Sequence, residues 1–177
     1  MAAPEPARVD QPPHVLVEWS EYLAVVRGSI SDRYARFYAP LAIGSVTLAF
    51  LPLFKDVVVV SGTGTMSAKY GSVFDMAGRS GGGPAVIGLL LLAGLVAALT
   101  VAVFRVPSAV LPGVIAGLAA LIVLMLLTKP GTGDPTPDLT DSGLAGLVLA
   151  VCTTLLGLTH AVHLSWFNRR LGNGQGG

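Results

Sequence analysis

Four apolar stretches, at 37–54, 84–104, 107–128 and 142–167, occupy about half of this chain. The shortest has 18 residues and the longest 26. A bilayer hydrocarbon core about 30 Å thick is crossed by about 20 helical residues. Lipid offers no partner for a free N–H or C=O, so runs of this kind must be helices. The expected fold class is therefore all-α membrane: a four-transmembrane-helix bundle with an N-terminal amphipathic cytoplasmic helix and a small extracytoplasmic β-hairpin loop. Its parts are a cytoplasmic arm over 1–36, the membrane domain over 37–167 with connecting loops at 55–83 and 129–141, and a flexible cytoplasmic tail over 168–177.

Composition agrees. The chain is 53% hydrophobic and 12% charged, where soluble domains carry about 25% charged residues. A net charge of +1 excludes the basic stripe of a nucleic-acid-binding protein. The single cysteine, Cys152, excludes an internal disulfide and a multi-cysteine zinc site, and reads as a small buried apolar residue. The first 36 residues are polar to amphipathic, without a short apolar region leading to a small-residue cleavage site, so no cleavable signal peptide is expected.

Lysine and arginine bias sets the expected orientation. With the N-terminus in the cytoplasm, the inner segments hold Arg8, Arg27, Arg33, Arg36, Arg105, Arg169 and Arg170, against Lys55, Lys69, Arg79 and Lys129 outside. Seven against four places both termini in the cytoplasm and the chain in the plasma membrane.

In the arm, Leu16, Trp19, Leu23, Val26, Ile30, Tyr34 and Phe37 recur at spacings of three and four, which is one face of a helix. Such a helix lies on the inner leaflet or docks in a partner's groove. Glu18, Glu21 and Asp32 balance Arg27, Arg33 and Arg36, so attraction to anionic lipid is weak.

Past the first run, the β-branched Val57–Val60 stretch precedes Ser61-Gly62-Thr63-Gly64, and Thr63, Thr65, Ser67 and Lys69 alternate with apolar or small residues. A two-residue period predicts a hairpin, to which Val73 and Phe74 add a short strand. Ser80 and the three glycines after it form a flexible connection, and no Gly-Lys-Ser/Thr follows to make a phosphate loop. In the second loop Asp134, Asp138 and Asp141 lack calcium-loop spacing; Asp141 or Ser142 is the expected cap of the fourth span.

Small residues at four-residue separation predict close helix packing: Gly94 with Ala98, Gly113 with Gly117, Gly146 with Ala150, and Gly157 with Ala161. Pro107 opens the third span, and Pro112 is expected to kink it.

Buried ionisable groups in spans signal function. No Asp, Glu, Lys or Arg falls inside the four runs, which hold only His160 and His163. Three residues apart, these share a helix face. A metal or haem pair is one reading; an interfacial pair beside Trp166 in the aromatic belt is the simpler one. No catalytic, cofactor-binding or metal-binding residue is expected, and no cofactor.

The preference for arginine near the inner ends, the Ala/Gly/Val/Leu-rich spans and the segment Phe54-Lys55-Asp56-Val57-Val58-Val59-Val60-Ser61-Gly62-Thr63-Gly64 resemble small four-span actinobacterial membrane proteins. Within that group the chain is similar to the accessory subunit of mycobacterial Mce-type lipid importers. The resemblance implies a non-catalytic helper bound to a permease, with substrate passage and ATP hydrolysis left to other subunits. Expected partners are other integral membrane subunits and membrane lipid, not nucleic acid. The expected contact residues are Trp19, Leu23, Val26 and Ile30 on the arm and Val58, Val60 and Tyr70 on the outer loop. Other readings are an accessory subunit of a respiratory supercomplex, a small homo-oligomeric transporter or channel, and a membrane enzyme or haem carrier.

Overall fold

The computed structural model describes residues 13–61, 64–79, 83–104, 110–129 and 136–173. Its elements are α1 (Pro13–Ala49), β1 (Val57–Ser61), β2 (Gly64–Ala68), α2 (Val73–Ala77), α3 (Gly83–Val103), α4 (Val110–Thr128) and α5 (Asp141–Asn173). Three helices, α3, α4 and α5 through Arg169, are long and apolar enough to cross a membrane.

The arm and the first apolar run are not separate elements. Pro13, whose fixed φ suits a first helical position, opens a single helix of 37 residues, about 55 Å long. Nor does that helix reach Phe54 as expected. Its last turn tightens, with Phe50 N–H donating to the Thr47 carbonyl and Leu51 N–H to Leu48. Pro52 then disfavours helical geometry at Leu51, so the chain leaves the helix after Ala49. Pro40, inside α1, removes the donor that the Arg36 carbonyl would otherwise meet.

The buried face of α1 also differs from the expected stripe. Ser31, Ala35, Tyr38, Ser45 and Ala49 are buried, spaced as one seam, while Phe37 stays 57% exposed and Ile30 and Tyr34 sit at its flank. Small residues win this face because helix backbones in an apolar environment are held by close contact, not by withdrawal of bulky groups from water.

α1 packs on α3 and α5, and α4 packs on the same two helices. The four therefore close a ring in the order α1, α3, α4, α5, running alternately up and down. One end carries the hairpin; the other carries Pro13 of α1 and Asn173 of α5. The core cluster includes Tyr38, Leu95, Leu99, Ile115 and Ala119.

Gly157 brings α5 onto α4. A Cβ there would lie 2.9 Å from the Pro112 carbonyl oxygen and 3.1 Å from the Ala116 Cβ, so only glycine permits this approach. The expected Gly113–Gly117 pair does not pack: a Cβ on either meets nothing within 4 Å, and Ile115, Ala116 and Ala119 form the buried face of α4 instead. α4 begins at Val110, and Pro107 lies outside the described residues. Pro112 thus falls in the first turn, where no intrahelical donor is lost, so the reason to expect a kink disappears.

At the hairpin end two loops are joined. Phe54 and Leu139 form an antiparallel bridge; Lys55 N–H donates to the Asp138 carbonyl at 2.7 Å and Thr140 N–H to Leu53 at 3.0 Å. Thr140, rather than Asp141 or Ser142, caps α5: its Oγ1 accepts from Gly143 N–H at 3.0 Å and donates to the Pro52 carbonyl. The Leu53 carbonyl occupies the space a Cβ on Gly143 would need.

β1 and β2 form the expected hairpin, with Val57 opposite Ala68 and Ser61 opposite Gly64. Val73 and Phe74 are not a strand. They open α2, because Ser72 and Asp75 make a reciprocal capping box that commits this segment to a helical turn. Phe74 stacks on Phe50 at 5.0 Å. The tail expected over 168–177 is helical as far as Asn173; residues 1–12, 80–82 and 174–177 lie outside the described set.

Candidate functional site

Two features stand out, one in each half of the bundle. The half nearer the termini holds a cluster of tyrosine and histidine. Tyr34 and Tyr38 are one turn apart on α1, and His160 and His163 are one turn apart on α5, so each pair shares a face. Antiparallel packing of α1 on α5 sets the pairs against each other. The Tyr38 hydroxyl lies 2.6 Å from His160 Nδ1, and the Tyr34 hydroxyl 3.4 Å from His163 Nδ1. The Tyr34 ring stacks on the His160 imidazole, centroids 4.2 Å apart and planes within 8°, and meets His163 edge-on.

Tyr38 is 1% exposed and His160 5%. Of the expected histidine pair, His163 is at the surface, whereas His160 is sealed between helices, because the seam on α5 passes through Thr153, Gly157, His160 and Leu164. With the tyrosine O–H donating to Nδ1, the ring proton sits on Nε2. Among the described residues neither His160 Nε2 nor Ser31 Oγ meets a hydrogen-bond partner. A hydrogen bond and a ring stack between two helices suit a lock on helix register, worth about 1–2 kcal/mol in an apolar environment.

Tyr38 is the residue sequence reasoning missed. The available signal was a phenol inside an apolar run, since a buried tyrosine hydroxyl seeks a partner. Cys152 is exposed, not buried, because it faces away from the α5 seam.

In the other half, all four long helices line a cavity of about 180 Å³. Its walls are small on α1 (Ser45, Ala49), α3 (Ala85, Gly88) and α5 (Gly146, Ala150), and long on α4 (Ile122, Met125). Protein interiors are close-packed, with few spaces larger than a water molecule. Here six small residues leave one open, whereas Tyr38, Leu99, Ile115, Pro112 and Thr153 are fully buried in the opposite half. Val73 and Met76 of α2 and Phe54 border its outer end with Lys129. Lys129 adopts positive φ, 51°, and pairs with Asp138 at 3.1 Å.

The expected contact residues are not brought together. Val26 and Ile30 are half-buried on α1, while Val58 is 58% exposed on β1 at the other end of the molecule. Tyr70 is engaged internally: its ring meets Phe54 edge-on and its N–H donates to Asp56 Oδ1 at 2.7 Å. The side chains of Trp19, Leu23 and Val60 lie outside the described set. Among the described residues no group of three His, Cys, Asp or Glu side chains is placed to hold a metal ion.

Fold and composition together are those of a multi-pass helical membrane protein. No protein family, curated protein or solved structure matches the chain.

Proposed function

We propose that this chain is a non-catalytic accessory subunit that binds and stabilises a larger plasma-membrane complex, with a lipid transporter of the Mce type as the first candidate. Both termini lie in the cytoplasm, as the arginine bias favours, and α1 forms the fourth element crossing the membrane beside α3, α4 and α5.

The observation that carries this reading is the unbroken length of α1. Tyr34 stands level with His163, so Asn173, the last residue of α5, is level with residue 24 of α1. Residues 13–23 then extend about 16 Å past α5 as a helical continuation of the part of α1 anchored in the bundle. Trp19 and Leu23 lie on this extension, and Val25 at its base is 70% exposed. A projecting helix with apolar side chains fits a groove on a partner subunit. Because it continues into the seam that holds Tyr38 against His160, engagement of the arm bears directly on packing of the bundle.

The test is extraction from native membranes in mild detergent through an affinity tag, followed by mass spectrometry of what co-purifies. A stoichiometric multi-subunit complex that is lost on Trp19→Ala/Leu23→Ala is expected. A chain that runs alone from native membranes overturns the reading.

A further inference from the structure

The cavity at the hairpin end has a shape and lining that define what it can hold. Pro84 and Leu95, both on its wall, are eleven residues apart on α3, about 17 Å along the helix axis. The space is therefore a slot running along the bundle axis, not a round pocket. Its lining is apolar apart from Ser45, Thr128 and Lys129, and the Thr128 hydroxyl is already committed to the Met125 carbonyl. One end is closed by Leu95 and the packed half of the bundle. The other reaches the level where α1 and α4 end, and there stands Lys129, the one charged side chain among the described residues lining the slot.

We propose that this slot binds a single straight hydrocarbon chain with an anionic head, the chain lying along α3 between Pro84 and Leu95 and the head at the Lys129 ammonium. The slot is partly open along its side, so a single chain seats along its walls with part of its surface facing the surrounding lipid. A ligand site of this kind joins apolar walls to a few placed polar groups. Lys129 carries three donors, of which Asp138 takes one at 3.1 Å. A carboxylate or phosphate head takes another without breaking that pair. The ring of Ser45, Ala49, Ala85, Gly88, Gly146 and Ala150 acquires a purpose on this assignment, since larger side chains would fill the slot.

The assignment is independent of the accessory-subunit reading and is tested on the isolated full chain in detergent. The probe is palmitate bearing a photoreactive diazirine on its chain, with unlabelled palmitate, hexadecanol and a two-chain phosphatidylglycerol as competitors. Saturable labelling confined to peptides 84–95 and 122–129 is expected. Palmitate should compete about tenfold better than hexadecanol, the ratio that one charge-assisted contact of about 1.4 kcal/mol supplies, and Lys129→Gln should erase that preference. Gly146→Leu and Ala85→Leu, which fill the slot, should each reduce labelling well below that of Gly117→Leu, whose side chain points away from the bundle. Labelling spread over outward faces outside these two peptides, such as Val114, Leu121 and Leu155, without saturation, overturns the proposal in the unaltered protein, whatever the variants do. Equal competition by phosphatidylglycerol overturns the single-chain assignment.

Discussion

Tyr38 and His160, 122 residues apart in sequence, meet hydroxyl to Nδ1 at 2.6 Å inside the bundle. Tyr34 completes this contact between α1 and α5 by stacking on the same imidazole. This contact fixes how far α1 slides along α5, and hence how much of the arm projects.

Removing the hydroxyl with Tyr38→Phe should therefore destabilise the bundle by about 1–2 kcal/mol, read as a lower unfolding midpoint in detergent. His160→Phe keeps the stacking ring but loses the hydrogen bond. In a double-mutant cycle the two changes should be non-additive by at least about 0.5 kcal/mol. Strict additivity would show that the two groups do not interact.

Gly157 and Gly117 offer a matched comparison, since both are glycines in apolar helices. A Cβ at Gly157 collides with Pro112 and Ala116, so Gly157→Ala should cost about 1–3 kcal/mol through overpacking. Gly117→Ala meets open space and should be neutral or slightly stabilising, because alanine is the better helix former. The same thermal measurement decides both; equal effects would place α4 and α5 differently.

Thr140 has a double role, as the cap of α5 and as donor to Pro52. Thr140→Ala should cost about 1–2 kcal/mol and loosen the junction of the two loops. Hydrogen exchange reads this locally: the Lys55 and Thr140 amides should exchange faster while those in the middle of α4 do not change. Unaltered exchange at Lys55 would mean the loops are joined by other contacts.

Asp75 links α2 to pH. The Ser72 hydroxyl and N–H donate to its carboxylate and hold it below the ordinary value of 3.8. A carboxyl depressed in the folded state contributes stability above its unfolded pKa and loses it as pH falls through the folded one. α2 should thus be fully capped above about pH 4 and unravel only below it. Asp75→Asn should remove the pH dependence of the Ser72 amide signal; a transition near neutral pH would refute the assignment.

Cys152 tests the membrane reading itself. It is exposed on α5, eleven residues into a candidate span. In intact membranes an apolar, membrane-permeant maleimide should label it, and a charged maleimide should not. Labelling by the charged reagent would place that face of α5 in water.

Several features were legible in the residues. Runs of apolar residues located α3, α4 and the body of α5 to within a few positions, because length and hydropathy alone decide what can span a membrane. The Val57–Val60 run and the alternation after it marked the hairpin, since a period of two has one structural meaning. Local chemistry misled in places where a competing local signal was stronger. The Ser72–Asp75 capping box overrode the strand tendency of Val73 and Phe74, and Pro52 ended α1 before the apolar run ended.

By itself the sequence determined how many apolar segments the chain has, where they stop, and that no Asp, Glu, Lys or Arg lies within them. Only the tertiary structure decided which face of each helix turns inward. In a soluble helix, water makes that choice visible as amphipathic periodicity; in α3 and α4 every face is apolar, so fit between neighbouring surfaces chooses instead. That is why Gly157 packs and Gly117 does not, why Tyr38 finds His160, and why small residues from three helices face a common slot.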